Sequence, residues 1–371
     1  GLKIKEARKK IIEDLEKIGS IEKIEPISHV TNVHDKCGTE IEFITTSQWF
    51  IRILDKKNQL INQGKKINWN PEYMRKRYEN WINGLEWDWI ISRERHFGIP
   101  IPVWECKNCN NIIIANEKEL PVDPLEIKKS CNKCKKEAKG EEKVLDTWAT
   151  SSLTPQITSN LTKNKIKIPY SLRPQAHDII RTWAFYTIVR SLYHESKIPW
   201  NNIMISGFVT LNGQKMSKSK GNVIEPQIIL EKYGADALRF WAASSKLGED
   251  LDYQEKDLIT GKKTINKLLN ASNFVFMNLK DYKKQKPKKI EAIDQLFLNK
   301  LNDLIIEFTN NFEKYEYSKS KSEIENFFWN TFCDYYLEIV KDRLYNENLR
   351  GKEAKISAQY TLNYSLLTIL K

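Results

Sequence analysis

Apolar residues recur at helical spacing near the start of the chain, at Leu2, Ile4, Ala7, Ile11, Leu15 and Ile18, with Gly19 just beyond; this predicts one amphipathic helix. The pattern then turns to β, and Ile41–Thr46 and Gln48–Ile53 read as strands. Over 70–86 it becomes helical again, opening after Asn70 with Pro71 in the first turn and Met74, Tyr78, Trp81 and Ile82 along one side. The run Ile203–Val209 reads as a buried strand and Glu225–Trp241 as a helix. From about Asp257 onward the periodicity is helical throughout, interrupted by a lysine-rich loop at 283–289. The aromatic stripe from Phe327 to Tyr336 reads as the core of a helical bundle.

Composition narrows this α/β picture. With 371 residues and 40% hydrophobic content, the chain is long enough for two or three domains with cores of their own. It has no apolar run of about 18 residues and no apolar signal-peptide centre, so the expectation is a cytoplasmic protein with no membrane span. The net charge of +12 fits a polyanionic partner, and equally a lysine-rich solubilising surface.

Two stretches carry candidate chemistry. Cys106-Lys107-Asn108-Cys109 and Cys131-Asn132-Lys133-Cys134 are separated by 21 residues, and four thiolates at this spacing can close a tetrahedral structural zinc site, with a redox or unliganded set as the other reading. All four ligand positions are then filled, which leaves no room for a catalytic zinc. Cys37 has no such neighbour and reads as a buried thiol. The second stretch runs from Gly213 to Asn222, setting lysines and serines between two glycines after the strand at 203–209. A cationic loop between strand and helix suits phosphate, although a solvated turn has the same composition.

The pentad Lys215-Met216-Ser217-Lys218-Ser219, continued by Gly221-Asn222-Val223-Ile224-Glu225-Pro226, resembles the second signature of class I aminoacyl-tRNA synthetases. Three further runs are similar to the valyl, isoleucyl and leucyl subgroup: Trp87–Trp104 around Ser92-Arg93-Glu94-Arg95, Leu145-Asp146-Thr147-Trp148, and Arg173-Pro174-Gln175-Ala176-His177-Asp178-Ile179-Ile180-Arg181-Thr182-Trp183. Thr147 favours the valyl type, with the isoleucyl type and a non-catalytic tRNA-binding module as alternatives. The resemblance implies ATP and Mg²⁺ as cofactors beside structural Zn²⁺, and valine and tRNA(Val) as partners. It gives Lys215 and Lys218 to transition-state stabilisation, and Met216, Ser217, Ser219, Asp178 and Gly207 to ATP. Trp148 and Trp183 become walls of the amino-acid pocket, and the exposed cations Arg93, Arg95, Lys341 and Arg343 become tRNA contacts.

On this resemblance the expected architecture is the second half of a Rossmann-type catalytic domain over 26–104 and 144–256. It is preceded by the end of an editing insertion at 1–25, interrupted by a zinc ribbon at 105–143 and followed by a helical anticodon-binding domain at 257–371. No His-x-Gly-His signature occurs in the 371 residues. The expectation is therefore that an N-terminal synthetase half supplies it, in trans or in an uncut parent chain, and that this chain alone does not activate valine.

Overall fold

The computed structural model describes residues 2–34, 37–43, 45–163, 165–218 and 221–371. It divides into two compact units, Gly1–Ser47 and Gln48–Lys371. In the first, helix α1 (Ile4–Lys17) forms where the 3.6-residue pattern places it, and Arg8 on it pairs with Glu40 and Glu42. Among the described residues, 41–43 and 45–46 form no strand. Ile41 and Phe43 are exposed, so the apolar run has no layer to bury it. Cys37 is exposed, against the expectation of a buried thiol.

The second unit opens with helix α2 (Lys57–Lys66), strand β1 (Asn68–Asn70) and helix α3 (Met74–Asn83). Helix α3 begins three residues beyond Pro71 and buries Met74, Tyr78 and Ile82, the i, i+4, i+8 positions of one face. The expected strand at 48–53 is reduced to Phe50–Ile51, paired antiparallel with Trp89–Ile90. A four-stranded antiparallel ribbon follows, from β2 (Val103–Cys106), β3 (Ile112–Ile114), β4 (Lys129–Ser130) and β5 (Glu137–Gly140), in the order β3-β2-β5-β4. Its own core is small: Trp104, Cys106, Cys131 and Ala138 are buried, with Ile113, Ala115, Val122 and Cys134 partly buried against them.

Strand β6 (Tyr170–Ala176), helix α4 (Phe185–Glu195) and strand β7 (Trp200–Ser206) make a parallel crossover, and the sheet order is β6-β7-β1. Ile203 and Ile205 on β7 are fully buried against Tyr78, Phe185 and Ile188. The register sets Ala176 beside Ser206, so the segments that leave both strands emerge together at the carboxyl edge of the sheet. There β8 (Val209–Leu211) and β9 (Gln214–Lys215) fold into a hairpin. The expected single helix at 225–241 is two, α5 (Pro226–Tyr233) and α6 (Ala235–Ala242), divided at Gly234, whose φ of 88° lies outside the helical region. Strand β10 (Leu251–Asp252) pairs parallel with β8.

The rest is helical: α7 (Glu255–Asn278), α8 (Ala292–Glu313), α9 (Tyr317–Asn326), a π-helical run at Phe327–Tyr336, α10 (Leu337–Tyr345) and α11 (Lys352–Leu370). Phe297, Phe327, Phe332 and Tyr336 form the aromatic centre of this bundle. No helix among the described residues is long and apolar enough to cross a membrane.

Candidate nucleotide and metal sites

Asp178 follows β6 on a short 3₁₀ turn, and Lys215 ends β9. The Lys215 ammonium lies 3.3 Å from the Asp178 carboxylate and 3.8 Å above the ring of Phe208. The His177 and Phe208 rings lie edge to face, their centroids 4.4 Å apart. A cavity of about 570 Å³ opens beside them, reached by Asp178, His177, Phe208, Trp81, Arg77 and Arg181. A cation, a carboxylate and an aromatic shelf at the mouth of a cleft can hold a ligand that carries hydroxyls at one end and anionic charge at the other.

Beyond Lys215 the loop is braced from inside. Asn222 Oδ1 accepts the Ser217 N–H at 2.8 Å, and its Nδ2 donates to the Lys215 carbonyl at 3.2 Å. The Met216 N–H points back to the Val209 carbonyl at 3.5 Å. Lys218 is exposed, and Ser219 lies outside the described residues. Gly207 has a different reason to be glycine: a Cβ there would stand 2.1 Å from the Glu249 carbonyl oxygen, so only a hydrogen lets the backbone of Glu249 and Asp250, just before β10, pass.

Trp148 and Trp183 are linked through backbone. Trp148 sits on the short helix Thr147–Ser151, capped by Asp146, whose carboxylate accepts the Trp148 N–H at 2.6 Å. The Trp183 indole N–H donates to the Ser151 carbonyl at 3.2 Å. The Arg173 guanidinium lies on the Trp183 ring at 3.1 Å, where burial pushes it down to about 10. Its buried Nε and Nη2 have no hydrogen-bond partner among the described residues.

The four clustered cysteines are close enough to share one ion, all Sγ atoms lying within 4.8 Å of one another. Three of the separations are 3.4, 3.6 and 3.6 Å, near the ~3.8 Å edge of a tetrahedron built on a Zn–S bond of about 2.3 Å. The two knuckles are built alike. The Cys106 carbonyl accepts the Asn110 N–H, and the Cys131 carbonyl the Lys135 N–H. Asn110 and Lys135 both turn through left-handed φ, at 52° and 61°. Backbone N–H groups of Cys134 and then Lys133 favour the Cys131 thiolate and bring it down to about 6. These residues fit a structural zinc.

The remaining sequence candidates are dispersed. Arg93 is engaged by Asp146 at 2.6 Å, Arg95 is exposed, and Lys341 bonds Glu338. Arg343 corrects an expectation: it is buried, not exposed, because Asp294 inside the bundle draws the guanidinium inward. Residues that sequence reasoning missed are Phe208, Asn222, Asp250 and Asp252, all of which touch the loop or its shelf.

Residues 5–254 match the family model described as tRNA synthetases class I (I, L, M and V), and residues 294–371 match that of the anticodon-binding domain of tRNA ligase. Valine--tRNA ligase of Picrophilus torridus is 45% identical over 347 residues, covering 93% of this chain and 45% of its own length. The valine--tRNA ligase of Thermoplasma acidophilum is 43% identical, with 100% of this chain and 48% of the relative covered. That of Ehrlichia ruminantium (strain Gardel) is 46% identical, with 100% and 46% covered. The chain thus spans about half the length of the curated relatives it matches. Among solved structures, Mycobacterium tuberculosis methionyl-tRNA synthetase in complex with methionyl-adenylate matches with a TM-score of 0.66 at 19% identity, over 91% of this chain and 62% of that one. A LeuRS–tRNA–LeuAMS complex from Agrobacterium radiobacter K84 matches with a TM-score of 0.57 at 18% identity, over 76% and 39%. At these identities the likeness is one of fold.

Proposed function

This chain belongs to the class I tRNA synthetases of the I, L, M and V group, and from that premise we propose that it works as part of a valine--tRNA ligase, activating valine with ATP and passing it to tRNA(Val). The observation that carries the reading is the approach of Lys215 to Asp178 at the carboxyl edge of the parallel sheet.

Activation joins a carboxylate oxygen of valine to the α-phosphorus of ATP. The bond from that phosphorus to its bridging oxygen breaks, and pyrophosphate leaves with the electron pair. No proton has to be moved by a side chain, so the work is orientation and countercharge. Asp178 takes the ribose hydroxyls, with Gly207, Ser217, Ser219 and the backbone at Met216 along the nucleotide. Lys215 and Lys218 follow the departing pyrophosphate on long, flexible stems. Further countercharge comes with the Mg²⁺ that accompanies ATP. Trp148 and Trp183 wall the apolar pocket, and a methylene there is worth only about 1–3 kcal/mol, which sets how well valine and isoleucine are told apart by binding. Bound zinc supplies folding energy to the ribbon and takes no part in the reaction.

The reading assigns the His-x-Gly-His motif to a polypeptide that supplies the first half of the catalytic domain, joined or separate. Within this chain it keeps 1–25 as the end of an editing insertion, 26–104 and 144–256 as catalytic, 105–143 as the ribbon and 257–371 as anticodon-binding. Of the four candidate cations, Arg93, Arg95 and Lys341 reach the surface and are the ones to meet RNA. The site of action is the cytoplasm, where ATP and tRNA are found.

ATP–pyrophosphate exchange in the complete enzyme tests this. Valine should stimulate exchange and isoleucine far less; stimulation by isoleucine alone overturns the valyl assignment.

A further inference from the structure

The hairpin that carries Lys215 is too small to hold itself. Its strands β8 and β9 have three and two residues, joined by Asn212 and Gly213, both at left-handed φ of 52° and 72°. A two-stranded ribbon of this size is marginal in water, and Gln214 and Lys215 are exposed. What fixes it is β10. The Leu251 N–H donates to the Phe208 carbonyl and the Tyr253 N–H to the Thr210 carbonyl, each at 2.8 Å.

Between these two backbone bonds, one oxygen of Asp252 takes two donors: the Thr210 hydroxyl at 2.7 Å and the Gly213 N–H at 3.0 Å. A single carboxylate oxygen thus ties the first strand of the hairpin to its turn. Those donors, Gly213 first, hold the Asp252 carboxyl below its ordinary range, as expected when hydrogen bonds favour the charged form. Two residues earlier, Asp250 accepts the Phe208 N–H at 2.7 Å and lies 3.5 Å from His177 Nε2. It steadies the ring on which the Lys215 ammonium rests.

We propose that Asp252 is a positioning residue for Lys215, holding the hairpin turn so that the ammonium meets the departing pyrophosphate, with Asp250 steadying the shelf beneath it. The proposal rests on the reading of Lys215 as the pyrophosphate-binding cation. Asp252 adds nothing to the apolar cluster of Ile229, Trp241 and Leu258 beneath this region, so its removal spares the core. Its loss is felt at the reacting atoms, where a displacement of about 1 Å costs on the order of 100-fold in rate.

The test uses Asp252→Ala, Asp252→Asn and Thr210→Val in the complete enzyme. Asp252→Ala should lower kcat for valine-dependent ATP–pyrophosphate exchange by about 10- to 100-fold. The KM for valine, the thermal midpoint and the transfer of valine from preformed adenylate to tRNA should stay near wild type, since pyrophosphate has left by the transfer step. Asp252→Asn keeps an oxygen that accepts the same two bonds and should restore most of the rate. Thr210→Val removes one donor and should fall between.

Equal losses in the Asn and Ala variants overturn the proposal, as does a parallel loss of transfer and thermal stability. A second readout needs no activity: in this chain, amide exchange at Gly213 should accelerate in Asp252→Ala. Unchanged exchange there overturns the inference whichever amino acid is activated. Absence of valine-dependent exchange in the wild type instead defeats the functional reading, and Gly213 then still decides on Asp252.

Discussion

Arg343 grips Asp294 with two guanidinium nitrogens, each at 2.6 Å, where the carboxylate is wholly buried and the guanidinium nearly so. The same carboxylate accepts the Tyr336 hydroxyl at 2.7 Å and the Ser357 hydroxyl at 2.5 Å. Helices α8, α10 and α11 and the π-helical run are thereby joined at one point. Arg343→Met leaves the carboxylate buried without its countercharge and should destabilise the bundle by about 3–5 kcal/mol. Arg343→Lys should recover little, because an ammonium cannot reproduce the planar fork. Urea unfolding followed by tryptophan fluorescence measures both. On the proposed function, tRNA binding by the folded fraction should keep the wild-type salt slope, since the Arg343 guanidinium is buried against Asp294 and not free for phosphate.

The ribbon should stand or fall with its metal. Its core is too small to fold it alone. Metal analysis of the purified chain should return about one zinc per chain. Cys131→Ser should lose the ion and expose 103–140 to protease while the core around Tyr78 and Phe185 persists. A ribbon that stays protease-resistant without metal would contradict the assignment.

Gly207→Ala should do damage out of proportion to one methyl group. The new Cβ meets the Glu249 carbonyl oxygen at 2.1 Å and its carbon at 2.3 Å, and backbone cannot swing aside as a side chain can. Relief requires the Glu249–Asp250 backbone, which leads into β10, to move away from the end of β7. The expected result is about 1–3 kcal/mol of lost stability, read by unfolding, and, on the proposed function, slower amino-acid activation by the complete enzyme, read by ATP–pyrophosphate exchange.

Asp88 provides a pH-dependent test. Its carboxylate accepts the N–H of Ile53 at 2.8 Å and of Leu54 at 3.0 Å, and these bonds, Ile53 first, hold it below the ordinary aspartate range. A depressed folded pKa means that the stabilisation is complete above the unfolded value, near pH 4, and fades as the pH falls through the folded value. Asp88→Asn should therefore unfold earlier than wild type at neutral pH, and the gap should narrow as the pH falls below the unfolded aspartate value of about 4. A gap that is constant with pH would assign the effect to shape and not to charge.

What the sequence made legible was local. The cysteine pairs and the lysine pentad stand out because residue type and spacing lie within a few positions. Helices such as α1 and α3 announce themselves through one apolar face. Strand pairing is not local, and so Asp252, 42 residues from Thr210, gave no signal. It reaches the hairpin only through a parallel pairing that no short window contains. Arg343 was misplaced for a related reason: helical spacing locates a side chain on a face but does not reveal a carboxylate such as Asp294 waiting inside. The run at 41–46 has strand composition, yet composition supplies no neighbour to pair with. Gly234 could have marked the break between α5 and α6, since a glycine within a helical pattern is a frequent stop.

Lys215 and Asp178 meet across the mouth of the cleft at 3.3 Å. Both side chains are partly exposed, at 50% and 38%, so the pair itself is weak. On the proposed reading, a nucleotide takes Asp178 with its ribose and Lys215 with its phosphates, and must come between them. The Lys215–Asp178 pair then competes with the nucleotide for both side chains. Added salt loosens this internal rival while it screens the attraction between lysine and phosphate. The two effects oppose each other, so nucleotide affinity should vary less steeply with ionic strength than the charges in the cleft alone would dictate.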